Sequence, residues 1–171
     1  MTVLKSIPCY KDEDIETGCC PKFHPERWDR KQFDFSDLYF VKANSNSFMH
    51  VPLNLGTVMT EVQKRIDRDN AQPDHSYLIL SKDLSSFESS HYFNVTDNMH
   101  SMPLEKVKGI FNALVFEGKF NQIPKWMSEV ETERKTKGLS TKEHYVFYTT
   151  CPKCAKKYGK NYVVAVAKLI Q

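Results

Sequence analysis

The chain of 171 residues is 40% hydrophobic, 12% aromatic and 26% charged, and its formal net charge is +3. This balance is typical of a folded globular protein, and it excludes a disordered chain or a coiled coil as the main content. The mild charge lacks the basic stripe of a dedicated DNA-binding protein, so the sequence does not favour a nucleic-acid partner.

Residues 1–35 have little periodicity and are predicted to form an extended arm. They contain three prolines, which interrupt regular structure, and the aromatic residues Phe23, Trp28 and Phe33. Because these aromatic side chains are too apolar to be left in water, we expect the arm to pack on the main body. The body, residues 36–171, is predicted to be a single domain.

From about residue 38 onward the sequence repeats itself with an offset of 68 residues. The same offset relates the predicted strand 77–80 to 145–148, and Phe48 to Phe116. It also relates two helical faces, which are Leu55, Val58, Met59 and Val62 in one helix and Ile123, Trp126, Met127 and Val130 in the other. The pattern predicts two copies of one unit, at about 38–97 and 106–170.

Each copy is predicted to run strand, helix, strand, strand. The predicted strands are 39–51, 77–81 and 91–97, then 106–120, 145–149 and 162–170, with helices at 55–70 and 124–137. The expected fold is α+β, with two pseudo-symmetric β-α-β-β repeats forming a largely antiparallel sheet and both helices on one face. The opposite face is then left needing a cover or a ligand, and we expect function there.

The strongest local signal is the stretch 145–170. Two apolar runs rich in β-branched and aromatic residues flank a basic corner that contains Cys151, Cys154 and Gly159. This arrangement predicts a β-hairpin with the two cysteines in its turn. The Cys-x-x-Cys pair is therefore expected between two strands and not at the N-terminus of a helix.

Two such units, with the segment VFEGKF at 115–120 placed before the tryptophan-bearing helix IPKWMSEV, resemble the GyrI-like effector-binding domain of the SOUL and multidrug-regulator superfamily. The resemblance covers about residues 36–171, and the CPKC corner with the CCPKF arm resembles a stand-alone subgroup in which some members carry a hydrolase label. It implies that a hydrophobic, often aromatic or cationic molecule binds in a cleft between the two halves. A few members are implied to hydrolyse reactive electrophiles there.

The resemblance also implies a glutamate on the last strand that meets a ligand cation. Asn161 and Tyr162 occupy that place in this chain, so Glu117 would have to take over the role. If Glu117 faces an apolar cleft, it suits general acid or base catalysis or pairing with a cation. The alternative is a carboxylate at a strand end, paired with Lys119 in solvent.

Further residues are candidates for the same cleft. His50 lies one position from the residue that matches Glu117, so the two would converge across the pseudo-twofold axis; the alternative is a half-exposed structural histidine. Tyrosine rings with hydroxyl tips orient aromatic ligands, although some of these rings must fill the core. The predicted ligand-binding residues are Tyr145, Tyr148, Tyr162, Asn161, Phe116 and Phe48.

The five cysteines fit reduced thiols or a metal site better than a secreted disulfide framework. Cys151 and Cys154 can hold half of a structural zinc site, and Cys20 with Cys9 are the expected other half, because adjacent cysteines rarely both bind one ion. Cys19 and His24 are the alternatives in the arm. A redox-active pair activated by neighbouring lysines, or plain reduced cysteines, are the competing interpretations.

The chain shows neither an apolar run of membrane-span length nor the apolar core of a signal peptide, so we expect a cytoplasmic protein with no membrane partner. A monomer or a homodimer is expected. No phosphate loop, dinucleotide fingerprint, nucleophile elbow or zincin motif occurs, so nothing requires an enzyme or a cofactor. A structural zinc ion is the one candidate cofactor.

The leading hypothesis is a stand-alone protein that binds a hydrophobic or aromatic small molecule between the repeats. A hydrolase that uses Glu117 in the same cleft is the first alternative. A zinc-stapled protein-interaction module is the second.

Overall fold

A computed structural model describes residues 2–49 and 51–170, with the side chains of residues 51, 52 and 120 outside the description. The chain forms two compact units, which we call the middle unit, residues 36–108, and the terminal unit, which combines residues up to 35 with residues from 109 onward. The predicted α+β class with largely antiparallel pairing is confirmed. In the described ranges, no helix has the length and apolarity needed to cross a membrane.

Strands make up most of the regular structure, and helices connect some of them. The strands are β1 (Val3–Leu4), β2 (Gln32–Asp34), β3 (Tyr39–Phe48), β4 (Val51–Pro52), β5 (Ile79–Asp83), β6 (Glu88–Val95), β7 (Ile110–Glu117), β8 (Thr141–Tyr148) and β9 (Tyr162–Leu169). The α-helices are α1 (Leu55–Arg68), α2 (Ile123–Thr136) and α3 (Pro152–Tyr158).

The middle unit is an antiparallel sheet in the order β5-β6-β3-β4, covered on one face by α1. Helix α1 buries Val62 and Ile66, which are four residues apart and therefore lie on one side of the helix. They pack on alternate strand residues such as Val41, Ile79 and Phe93. This apolar contact holds the helix on the sheet.

The terminal unit has the strand order β1-β2-β7-β9-β8, in which only the short β1–β2 pair is parallel. Helix α2 packs Val130 and Met127 against Leu114 and Ala165 on one face of this sheet. Helices α1 and α2 begin and end 68 residues apart, as the repeat predicted. Both repeats also place their third strand between the first and second strands, so the predicted repetition is confirmed.

The predicted hairpin turn at the cysteine corner is wrong. Four residues, 84–87, join β5 to β6, whereas thirteen, 149–161, join β8 to β9, and these thirteen contain α3. Pro152 occupies the first turn of α3, where its missing N–H costs nothing, and Gly159 ends the helix with a φ of 74°. Cys151 is the N-cap residue, so the Cys-x-x-Cys pair does lie at a helix N-terminus.

The arm covers the face of the terminal sheet that lies opposite to α2. Trp28 is 4% exposed and its ring centroid lies 4.9 Å from that of Phe33 and 5.4 Å from that of Phe147 on β8. Phe35 stacks on Phe111 of β7 at 4.7 Å. The sheet face expected to need a cover or a ligand is therefore covered, in this unit, by the aromatic residues of the arm itself.

Candidate metal centre and ligand-binding residues

Four cysteines from two distant segments meet in the terminal unit. The Sγ atoms of Cys19, Cys20, Cys151 and Cys154 all lie within 4.8 Å of one another. Two come from the arm and two from the α3 connection, where the N-cap position and the first turn of the helix carry the sulfur atoms on one side. Cys20 and Cys154 are buried, Cys151 is half-buried and Cys19 is exposed.

The spacing of these sulfur atoms fits a tetrahedral ion. A Zn–S bond of about 2.3 Å places the sulfur atoms of a regular tetrahedron about 3.8 Å apart. The Cys19 and Cys20 Sγ atoms are 3.7 Å apart, so neighbouring cysteines are already at that separation. Contracting the widest pair by about 1 Å, within the reach of a side-chain rotation, would complete a four-thiolate site.

Polar groups around the cluster favour negatively charged sulfur. The Cys151 backbone N–H donates to Cys20 Sγ at 3.4 Å, and the Thr17 hydroxyl lies 3.2 Å from Cys154 Sγ. Burial alone would raise the pKa of Cys154, but its hydrogen bonds with Thr17, the Cys20 backbone and Cys151 outweigh this effect and hold the pKa at about 7. Burial raises the pKa of Cys19 and Cys20, as expected for thiols without an ion beside them.

Two predicted ligands lie elsewhere. Cys9 is exposed, outside the group of four, and its carbonyl accepts a hydrogen bond from Arg27 at 2.8 Å. His24 Nε2 is 2.8 Å from Asp14 Oδ1, a contact that lowers the pKa of the buried Asp14 carboxyl together with the Lys11 backbone N–H, against the effect of burial. The structure therefore brings Cys19, and not Cys9, together with Cys20, Cys151 and Cys154.

Glu117 ends β7 with its side chain half exposed. Its Oε2 lies 3.6 Å from Lys160 Nζ. A hydrogen bond to Tyr162 and the charge of Glu117 raise the pKa of Lys160. Glu117 is thus paired with a lysine at a strand end, although the partner is Lys160 and not the expected Lys119. The other predicted acid–base residue, His50, lies outside the described residues.

The predicted ligand-binding residues divide between the two faces of the sheet. In cross-strand register, Phe116, Val163 and Tyr148 form one row and Glu117 pairs with Tyr162 in the next. Because successive residues point to opposite faces, the first row lies on the α2 side with Leu114, and the second on the arm side, where Tyr162 meets Phe23 at 5.6 Å.

Two further aromatic candidates do not join that row. Tyr145 is 3% exposed on the arm side, and its hydroxyl donates to Glu143 at 2.7 Å. Phe48 belongs to the middle unit, is 60% exposed and has its ring 6.4 Å from that of Phe87. By alternation it points away from the face that carries Val41 and α1, whereas Phe116 packs toward α2, so the 68-residue equivalence fails for this pair.

Asn161 sits beside the row on the α2 side. Its Nδ2 donates to the Gly118 carbonyl at 2.8 Å, which fixes the orientation of the amide. Its Oδ1 is buried and accepts no hydrogen bond within the described residues. Phe116 of that row stacks on Trp126 of α2, with 5.3 Å between the ring centroids.

The middle unit contains a buried polar cluster that the sequence interpretation did not single out. His91 is 2% exposed, with Nε2 2.8 Å from Ser45 Oγ and Nδ1 2.8 Å from Ser81 Oγ. Burial lowers the pKa of His91 against the attraction of Asp83, so the ring is neutral near pH 7 and links three strands. Serines at alternate positions of buried strands were the available signal.

The fold is similar to solved structures of bacterial proteins. An uncharacterized conserved protein from Listeria innocua superposes with a TM-score of 0.63 at 11% identity, over 84% of this chain and 94% of its own. A hydrolase from the same organism superposes with a TM-score of 0.60 at 10% identity, over 84% and 93%. At such identities the likeness extends to the fold alone.

The sequence of this chain matches a family model, whereas no curated protein matches it. The family model described as bacterial hydrolase matches residues 10–169, which include Cys19 and Cys20 of the arm, both repeats and the α3 connection. Because this match spans nearly the whole chain, the protein belongs to that bacterial hydrolase family.

Proposed function

We propose that this protein binds a small, flat, partly apolar molecule that carries an N–H or O–H donor. The binding residues are Phe116, Tyr148 and Asn161, on the α2 side of the terminal sheet. The proposed ligand class is the one implied by the resemblance to GyrI-like domains. The membership of this chain among those domains is itself part of the proposal. The site, however, is built within one unit.

The observation that carries the proposal is the Oδ1 atom of Asn161. A buried acceptor without a donor costs about 1–3 kcal/mol, so such an atom favours a partner that supplies one. The Gly118 carbonyl prevents the amide from turning to present Nδ2 in its place. A ligand hydroxyl or amide would satisfy the free acceptor.

Aromatic walls beside Asn161 suit a flat ligand. The stacked pair Phe116 and Trp126 offers a ring face, and Tyr148 lies in the same row as Phe116 with its side chain half-buried. Ring faces bury apolar surface, and one directional hydrogen bond then selects among molecules of the same shape.

Phenol and toluene test this directly, because they are similar in size and only phenol donates a hydrogen bond. We expect phenol to bind about tenfold more tightly, the effect of one hydrogen bond worth about 1.4 kcal/mol. Shifts of the Trp126 indole N–H resonance during titration measure both affinities. Asn161→Ala should abolish the preference and Asn121→Ala, a nearby exposed asparagine, should retain it; equal binding of the two probes to the unmodified protein would contradict the proposal.

Hydrolysis is the second candidate, and family membership favours it. Two of the similar solved structures are described as hydrolases, which applies to those proteins. In this chain Glu117 is the proposed base, since a half-exposed carboxylate can take a proton from water, and its Oε2 lies 3.6 Å from Lys160 Nζ.

A reactive ester, 4-nitrophenyl acetate, serves as the probe of hydrolysis. We expect Glu117→Gln to reduce kcat/KM by about 100-fold, the usual effect of losing a general base. Glu129→Gln removes a comparable exposed carboxylate, paired with Lys125, and should leave turnover unchanged. Turnover that survives Glu117→Gln would remove Glu117 from the mechanism.

We also propose that the four-cysteine cluster holds a zinc ion. Four thiolates complete the coordination of zinc and leave no open position for water, so the ion is structural and not catalytic. Four lysines between 153 and 160 offset the charge of such a site. Native and denaturing mass spectra of zinc-loaded protein test it by the mass of one zinc ion, and reduced thiols agree with the cytoplasmic location that we propose.

A further inference from the structure

We infer that zinc in the four-cysteine cluster acts as a lock on the arm. When the ion is bound, residues 14–24 are held against the α3 connection; when it leaves, these residues detach while the terminal sheet stays folded. This inference rests on the proposed zinc ion. It adds a conformational consequence that the ion's presence alone does not imply.

The arm segment concerned is a long loop closed at its base. Strand β1 pairs with β2, and β2 pairs with β7, so both ends of residues 5–31 are fixed to one sheet. Between those ends the described chain has only two short 3-10 turns, Asp12–Asp14 and Pro25–Arg27. Loops of this length without regular structure need some other constraint to hold one conformation.

The direct contacts that the described residues show at the tip of the loop are hydrogen bonds, mostly with the α3 connection. The Tyr158 hydroxyl lies 2.7 Å from the Cys20 carbonyl and 3.1 Å from the Asp14 carbonyl. Lys157 Nζ donates to the Glu16 carbonyl at 3.0 Å, from an exposed position. These hydrogen bonds replace bonds to water, so they offset little of the entropy lost by ordering the tip.

Apolar anchoring of the loop changes along its length. Trp28 and Phe33 are almost fully buried, which fixes the later part of the loop to the sheet. Ile7 near the start of the loop is buried as well. Within residues 14–24 Phe23 contacts the sheet, and its ring lies 6.2 Å from that of Phe147 and 5.6 Å from that of Tyr162. Opening is therefore expected to stop between Phe23 and Trp28.

The sulfur cluster is placed where it can control this opening. It joins residues 19 and 20, near the middle of the weakly held segment, to residues 151 and 154 of the α3 connection. One ion would thus cross-link two connections of 27 and 13 residues, which removes much of the conformational freedom of both. Its loss would uncover the sheet face at Phe147 and Tyr162, beside Glu117.

Hydrogen–deuterium exchange of the full chain, read by mass spectrometry, tests the lock. Zinc-loaded protein is compared with protein stripped by a chelator under reducing conditions. We expect amides of residues 14–24, including the Lys22 N–H that donates to the Asp14 carbonyl, to exchange at least about tenfold faster without zinc. Amides of β7 and α2 should remain protected in the stripped protein, because the sheet stays folded.

Variants separate the ion from the thiols. Cys19→Ser with Cys20→Ser should give the fast exchange even with zinc added, whereas Cys9→Ser, outside the cluster, should behave as the unmodified protein. Unchanged exchange of residues 14–24 after zinc is removed would overturn the lock, and so would loss of protection throughout the sheet. Failure to take up zinc, read from the native mass spectrum, would overturn the proposed ion itself and the lock with it.

Discussion

The two repeats share one strand order and one helix length, but they differ in the connection between their second and third strands. In the middle unit four residues link β5 to β6, and in the terminal unit thirteen link β8 to β9. The longer connection contains α3 and two of the four clustered cysteines. The two repeats therefore agree in their strands and helices and differ in a connection, which carries half of the cysteine cluster.

The largest expected difference between the units concerns zinc. Chelation should lower the free energy of unfolding of the terminal unit by several kcal/mol, since four-cysteine zinc sites in small domains contribute up to about 10 kcal/mol. Both tryptophans, Trp28 and Trp126, belong to the terminal unit, so tryptophan fluorescence during denaturant unfolding reports on it. Cys9→Ser is the control, and a zinc-independent midpoint would contradict the prediction.

The arm is expected to stabilise the terminal unit as much as a core strand does. Phe33→Ala should cost about 3–5 kcal/mol, the usual effect of a large aromatic cavity, because its side chain is 0% exposed. Phe93→Ala, at a core position of the middle unit, should cost a similar amount. Phe48→Ala removes an exposed ring and should stay within about 0.5 kcal/mol. Denaturant midpoints rank the three variants, and a mild effect at Phe33 would show that the arm is a loose appendage.

The buried polar cluster predicts a pH effect specific to the middle unit. Because the pKa of His91 is lowered in the folded state, the unfolded chain binds a proton first as the pH falls. Stability is complete above about pH 6.5 and declines below it, by up to about 1.4 kcal/mol per pH unit until the folded ring protonates.

Denaturant titrations between about pH 7.5 and about pH 5 measure this slope. His91→Asn should remove most of the pH dependence, even if it lowers stability at every pH. His75→Asn, an exposed histidine of the same unit, is the control and should leave the slope unchanged. A slope that persists in His91→Asn would assign the effect to other groups.

Two glycine substitutions are expected to change stability in opposite directions. Gly118 has a φ of 152°, and a Cβ there would lie 2.9 Å from Trp126 Cζ2 and would also clash with Gln122 Oε1. Gly118→Ala should therefore cost about 1–3 kcal/mol through backbone strain. Gly56→Ala, in α1 with open space around it, should stabilise by up to about 1 kcal/mol. Thermal unfolding of both variants checks the opposite signs.

Helix positions were predictable from the sequence because their apolar spacing is local. Val62 and Val130 lie 68 residues apart, are both buried and occupy the same place in their helices. The face to which each strand residue points was harder to predict, because a shift of one residue in register reverses the direction of its side chain. Phe48 and Phe116 share the offset but point to different surroundings, because the segments between strand and helix differ in the two repeats.

The cysteine site was predicted in part. Cys151, Cys154 and Cys20 meet as expected, whereas Cys19 takes the place given to Cys9. The helix α3 that presents two of them could have been found from Pro152 and Gly159, which mark a helix start and end. The unsatisfied Asn161 oxygen and the His91 cluster depend on contacts distant in sequence, so a linear pattern does not contain them.

The terminal unit draws its strands from both ends of the chain, and this has a consequence for synthesis. On the ribosome the arm emerges before β7, on which β2 pairs, because the complete middle unit lies between them, and β9 follows β7. Trp28 and Phe33 must wait in a nascent chain without their sheet, as must Cys19 and Cys20 without their partner thiols. The nascent polypeptide thus passes through an interval in which the aromatic side chains of the arm are exposed and can promote aggregation.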